Sequence, residues 1–321
     1  MQLLPSELLD HLFFFVPPAH LTAVSRTSSA YCSAAQRVLY RHLALSSSTR
    51  TLSCVLTLAS NHCVASYVRS FTISFDRAPS TGSHFYQTLS CSLANMSQLT
   101  SLDIFVDQSA SWILSNDTTY PNLQRFACLF NLDCHLVAFF NKSSSITELK
   151  IGSVPLLDYP ILSSVSLPFL AHFTGSALAA ELIVPGRPVH SIILNSGCLT
   201  ENIAYNLAHS TAPIHTLSAH TISHSLSLIS TLAGCMKKLQ HLRIATTFSV
   251  ANLPDTVSLI LKNPTFFPSS HMISQKNIAD VLTLLPDLQT CELWGFHCFQ
   301  TVNKVWHFPS FNTPKPQQNW I

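Results

Sequence analysis

The stretch Leu99-Thr100-Ser101-Leu102-Asp103-Ile104-Phe105-Val106 sets apolar residues at Leu99 and Leu102 and then at every second position. A period of two puts Leu102, Ile104 and Val106 on one face of a β-strand and Ser101, Asp103 and Phe105 on the other. Its opening phrase, two apolar residues three apart, returns at Val68 to Phe71, Leu123 to Phe126, Ile146 to Leu149, Leu170 to Phe173, Val189 to Ile192, Ile214 to Leu217, Leu239 to Leu242 and Leu288 to Cys291. From Leu99 to Leu239 the starts lie 24, 23, 24, 19, 25 and 25 residues apart. The gap from Leu239 to Leu288 is about twice this period, so a degenerate copy is expected near Val257 to Ile260. Helix-compatible stretches lie between the phrases, at Ser83 to Ala94, Ser225 to Leu232 and Gln275 to Leu285, often after Ser, Thr or Asn caps.

Units of this length, each a strand with a helical or irregular return, resemble leucine-rich repeats. The phrases lack the asparagine that usually ends that motif, and the 19-residue interval is irregular. The resemblance implies an α/β solenoid with a parallel sheet on its concave face, in which stacked units bury a core that no single unit could build. The other reading is an ordinary α/β domain with amphipathic phrases at chance spacing. In a horseshoe the outward strand positions line the concave face. They make Asp103, Phe105, Arg125, Glu148, Lys150, His241, Arg243, Glu292 and Trp294 the candidate target-binding residues. Arg and Trp are frequent interface anchors. The same residues also fit a solvated sheet surface, and the loops after the strands could serve equally well.

The N-terminal segment has a different pattern. Pro5 suits a first helical turn, and Glu7 follows where a carboxylate favours the positive end of the helix dipole. Leu8, Leu9, Leu12, Phe13 and Val16 then recur at steps of three and four, until Pro17-Pro18 ends the helix. A second helix is expected near Ala19 and a third from about Ser29 to Leu43, with Tyr31, Ala34, Val38 and Leu39 on one side. Three helices this short cannot bury all their apolar faces alone and need a partner, in this chain or another.

These residues resemble the F-box. Its Leu-Pro-x-Glu start is met by Leu4-Pro5-Ser6-Glu7, and its apolar positions five, nine and fourteen after the Glu by Leu12, Val16 and Leu21. Where the family often has Val-Ser-x-x-Trp, this chain has Thr27-Ser28-Ser29-Ala30-Tyr31. Leu39-Tyr40-Arg41-His42-Leu43 resembles the close of many fungal F-boxes. The resemblance covers residues 3 to 45 and implies that Leu4, Pro5, Glu7, Leu8, Leu12, Val16, Leu21 and Tyr31 contact a Skp1-like adaptor, which in turn binds a cullin. Together with the repeats it is similar to the F-box and leucine-rich-repeat receptors, the substrate-recognition subunits of ubiquitin ligases. Such a subunit is not itself an enzyme and needs no cofactor. A leucine-rich-repeat scaffold without ligase assembly is the alternative.

Composition narrows the remaining classes. The 321 residues suffice for one large or two ordinary domains, and 47% hydrophobic with 10% charged residues implies a sizeable core. A net charge of +2 with scattered Lys and Arg gives no footprint for nucleic acid. The longest uncharged stretch, between Glu201 and Lys237, is broken by Pro213, Gly234 and many serines, so no membrane span is expected. The start lacks the basic region of a signal peptide, which points to the cytoplasm or nucleus. The 10 cysteines are dispersed with no Cys-x-x-Cys pair and read as reduced thiols, so the triplets at Asn95, Asn116 and Asn141 carry no glycosylation. Only 7 glycines, without G-x-G-x-x-G or Walker A, argue against a phosphate-cradling site.

Two histidine or cysteine groups raise the question of a metal: His209, His215, His220 and His224, and Cys291, His297 and Cys298. Neither has the spacing or second half of a structural zinc motif, so no metal is expected. No G-x-S-x-G or H-E-x-x-H occurs. The expected organisation is therefore an F-box at 1–45, a solenoid at 46–298 and a tail at 299–321 that either caps the last repeat or extends loosely.

Overall fold

The computed structural model describes residues 4–46, 48–75, 82–114, 118–152, 162–163, 165–222, 226–246, 275–293, 296–300 and 306–307. The chain is an α/β protein that divides into two compact units, Met1–Leu170 and Ala171–Ile321. Each is built from parallel strands joined by helical returns.

The first unit opens with three helices, α1 Ser6–Phe14, α2 Pro18–Val24 and α3 Ser29–Leu39. Their ends follow from local chemistry. Pro17 precedes α2 with Pro18 at its first position, where a missing N–H costs nothing. Ser28 caps α3 by accepting from the Tyr31 N–H at 3.2 Å. Leu9 and Phe13 of α1 pack with Leu21, Ala34 and Ala35 into a small core flanked by Val16, Val24, Tyr31, Val38 and Leu39.

The third helix is shorter than expected. It stops at Leu39, and His42–Leu45 forms the strand β1, paired in parallel with β2 Ser70–Ser74. The Arg41 carbonyl accepts from both the Arg69 and the Ser70 N–H, at 2.9 and 3.1 Å, which takes this segment out of the helix and into the sheet. The sheet of this unit then runs in chain order through β3 Ser101–Phe105, β4 Arg125–Cys128 and β5 Glu148–Ile151, all parallel. The returns are α4 Ser48–Ser60 and α5 His62–Ala65, α6 Gly82–Asn95, a 3-10 turn at Ala110–Leu114, and α7 Cys134–Lys142.

The second unit repeats the scheme with β6 His172–Ser176, β7 Ser191–Ser196, β8 Thr216–Thr221, β9 His241–Thr246 and β10 Thr290–Leu293 in parallel. Its helices are α8 Ala177–Ile183, α9 Glu201–Leu207, α10 Leu226–Cys235 and α11 Gln275–Leu282. At the end the chain reverses: β11 Phe296–Gln300 lies antiparallel to β10, and β12 Trp306–His307 lies antiparallel to β11. The boundary expected at 298/299 falls inside β11, and Trp306, in the expected tail, is buried. Residues 308–321 and the degenerate copy near 257–260 lie outside the described residues.

Each of the nine apolar phrases leads into a strand, and within each unit the strands pair with their phrases in register. Phe71, Leu102, Phe126 and Leu149 form one buried row and Ile73, Ile104, Cys128 and Ile151 the next. Phe173, Ile192, Leu217, Leu242 and Cys291 make the equivalent row of the second unit. Fully burying an aliphatic or aromatic side chain of this size contributes about 1.5–3 kcal/mol, so the rows are the main source of stability in each unit. Accordingly, Leu149→Ala is expected to cost about 2–5 kcal/mol. The exposed neighbour on the same strand, Lys150→Ala, should stay within about 0.5 kcal/mol. Urea unfolding followed by circular dichroism measures both.

Candidate functional site

Helix α1 has two apolar faces. The inner one, Leu9 and Phe13, is consumed by the small core. The outer one is in solvent: Leu8 is 51% exposed, Leu12 53% and Phe15, just past the helix, 71%, with Phe14 and Leu4 also exposed. Leu8, Leu12 and Phe15 follow the i, i+4, i+7 rhythm of one helix face. The rings of His11, Phe14 and Phe15 meet edge to face at 5.3 and 5.6 Å. Isolated exposed leucines are ordinary, but a contiguous stripe on one helix marks an interaction surface.

The sequence-derived adaptor-binding residues therefore fall into two groups. Leu4, Pro5, Glu7, Leu8 and Leu12 are exposed. Leu21 is buried in the small core, while Val16 and Tyr31 are half-buried against it, Tyr31 edge-on to Phe13 at 5.9 Å. The sequence did not separate these roles, and it did not single out Phe14 and Phe15. Arg37 of α3 braces the arrangement by donating to both carboxylate oxygens of Asp10 at 2.8–3.0 Å. This hydrogen bonding raises the Arg37 pKa above its usual value, against the opposing effect of burial.

The outward strand positions are organised by the same register. Arg125 pairs with Glu148 at 3.2 Å and Arg243 with Glu292 at 3.1 Å, each across adjacent strands at equivalent positions. Thr72 donates to Asp103 at 3.1 Å, and His241 shares a 2.8 Å hydrogen bond with Thr290. Four of the expected target-binding residues are thus engaged with one another in pairs. Such exposed pairs stabilise little but present neutral, preorganised patches. Phe105 is half-buried at the end of β3 and Lys150 is exposed on β5. Trp294 and His224 lie outside the described residues.

The histidines form a different cluster from the one suggested by sequence. His172, His190 and His215 stack across the entrances of β6, β7 and β8, with ring centroids 4.5 and 6.2 Å apart. His209 instead packs on Tyr205 at 5.1 Å. Cys291 and Cys298 face one another across β10 and β11, with His297 opposite Glu292 in register. Hydrogen bonding to Cys298, together with burial, pushes the Cys291 pKa far up, so this thiol stays protonated. Among the described residues no group of three His, Cys, Asp or Glu side chains is placed to hold a metal ion, and no helix is long and apolar enough to cross a membrane.

The chain matches no protein-family model, and a comparison with curated proteins finds no match.

Two measurements test this geometry. Leu21→Ala should destabilise the first unit by about 2–5 kcal/mol, whereas Leu8→Ala, on the outer face, should leave the melting temperature nearly unchanged. Burial, followed by repulsion from His172 and His215, lowers the His190 pKa below 6.5. A ring that binds protons less readily folded than unfolded contributes stability above pH 6.5 and loses it as the pH falls through that value. The melting temperature should therefore drop between pH 7.5 and 5.5, and His190→Gln should drop less over the same interval.

Proposed function

We propose that the chain is the substrate-recognition subunit of a Skp1–cullin–F-box ubiquitin ligase. The N-terminal helices form the F-box and the strand–helix units form a leucine-rich-repeat-like solenoid that binds a protein target. The observation that carries the reading is the exposed stripe of Leu8, Leu12 and Phe15, backed by a separate inner stripe that holds the three helices together. An adaptor supplies the burial that this stripe lacks.

In this reading the chain catalyses nothing itself. It raises the effective concentration of a target lysine near a conjugating enzyme's thioester, and the bond-making groups belong to other subunits. The uncovered strand positions and the loops that follow them supply the target surface. The assembly places the protein in the cytoplasm or nucleus.

Capture of a purified Skp1-type adaptor by the full-length chain tests the proposal. Wild type should bind. Leu8→Asp with Leu12→Asp should weaken binding by at least about tenfold, because two charges would then be forced into an apolar interface. Removing residues 1–45 should abolish it. A chain that stays monomeric in excess adaptor would instead be a solenoid scaffold without ligase function.

A further inference from the structure

In the first unit a cavity of about 380 Å³ opens at the carboxyl ends of β2, β3 and β4. Phe75 follows β2, Val106, Asp107 and Gln108 follow β3, Leu129 follows β4, and Tyr86 reaches in from α6. This volume is in the range of small-ligand sites, and the carboxyl ends of parallel strands are where open α/β sheets place ligands.

The walls are held in position. The Phe75 N–H donates to the Phe105 carbonyl at 3.2 Å, the Leu129 N–H to Ile104 at 3.3 Å and the Asn131 N–H to Gln108 at 3.3 Å, so Phe75 and Leu129 are tied to the sheet and the segments after β3 and β4 to each other. Phe75, Phe85, Tyr86 and Trp112 form a chain of edge-to-face contacts at 5.6, 5.5 and 6.4 Å, which fixes the two rings that line the cavity. Asp107 is held as well: its Oδ1 accepts from the Ser109 N–H at 2.8 Å and from the Ser109 hydroxyl at 2.6 Å. These hydrogen bonds keep its carboxyl below the usual range, so it is anionic throughout neutral pH. None of the described lining residues is a Lys or Arg.

A fixed carboxylate beside two aromatic rings, with aliphatic walls and no cation among the described lining residues, matches the side chain of arginine. A planar guanidinium can lie against a ring and present its N–H groups to a carboxylate, while the methylene stem covers apolar surface. We propose that this cavity receives an arginine side chain of a bound peptide, with the guanidinium on Asp107 and against Phe75 and Tyr86, and the stem along Val106 and Leu129. The proposal rests on the receptor reading only in taking that peptide to belong to a target protein.

Calorimetric titration of the full-length chain with acetyl-Gly-Arg-Gly-amide tests it, with the neutral citrulline peptide as control. The arginine peptide should bind and the citrulline peptide should bind at least about tenfold more weakly. Asp107→Asn retains the Oδ1 acceptor for Ser109 and should keep its melting temperature while losing the preference for arginine. Tyr86→Leu should weaken binding, and Tyr86→Phe, which keeps the ring, should not. No binding by the arginine peptide, equal binding of both peptides, or an Asp107→Asn chain that still prefers arginine overturns the site. Adaptor capture measured on the same samples separates the two readings. Capture without peptide binding overturns the arginine site alone, and peptide binding without capture supports the site while removing the receptor assignment.

Discussion

At the entrances of β1 to β4 and of β6 to β9 one carbonyl accepts two N–H groups from the next repeat, and the rest of the molecule depends on this repeated bond. In the first unit Arg41, Arg69, Thr100 and Gln124 each accept from two successive residues, and in the second Ala171, His190, His215 and Gln240 do the same, all at 2.8–3.2 Å. A carbonyl has two lone pairs, and using both fixes where the following strand begins. A slip by one residue would expose every buried side chain. The ladder therefore holds the strand entrances in one register on repeats of different length, and at the 19-residue interval between Leu170 and Val189 the β6–β7 pairing keeps that register from His172 to Gly175 and shifts only at Ser176.

In-register stacking brings each residue beside its equivalent in the next unit. For apolar positions this yields continuous rows, and for charged positions it yields the Arg125–Glu148 and Arg243–Glu292 pairs. It also forces like residues together. His190 and His215 are equivalent residues at neighbouring strand entrances, His172 lies one position further along β6, and the repulsion that both exert on a charged His190 is a cost of the arrangement.

The same rule explains what could be read from the sequence. A phrase whose two apolar residues both go inward leaves a pattern visible in one dimension, and all nine phrases lead into strands. The ion pairs were equally available, since Arg125 and Glu148 are both the third residue of a phrase, but they emerge only when the phrases are laid over one another. Strand β1 was hidden because Leu39 and Leu43 also satisfy a helical step of four. The competition there is decided by Arg69 and Ser70, far along the chain, which claim the Arg41 carbonyl. The two faces of α1 were merged for a related reason: Leu8, Leu9, Leu12 and Phe13 are alike in composition, and only Leu21, Ala34 and Ala35 determine which pair turns inward. The cavity left no signal at all, because its walls come from three loops and a helix with no common spacing.

The inner and outer faces of α1 answer to different requirements. Leu9 and Phe13 are buried within the first unit, so its own cohesion accounts for them. Leu8, Leu12 and Phe15 contribute little to that cohesion, yet they expose apolar surface in a chain with only 10% charged residues to keep it apart from others of its kind. Folding does not require leucine at Leu8 or Leu12, since a polar side chain there would preserve the helix and improve solubility. The cavity at Asp107 differs in kind, because its attraction is electrostatic and weakens with salt, whereas a leucine stripe binds by apolar burial and does not. Two surfaces with such different chemistry suit two different occupants, so in the proposed reading an adaptor and a target arginine would each draw on contacts that the other does not use.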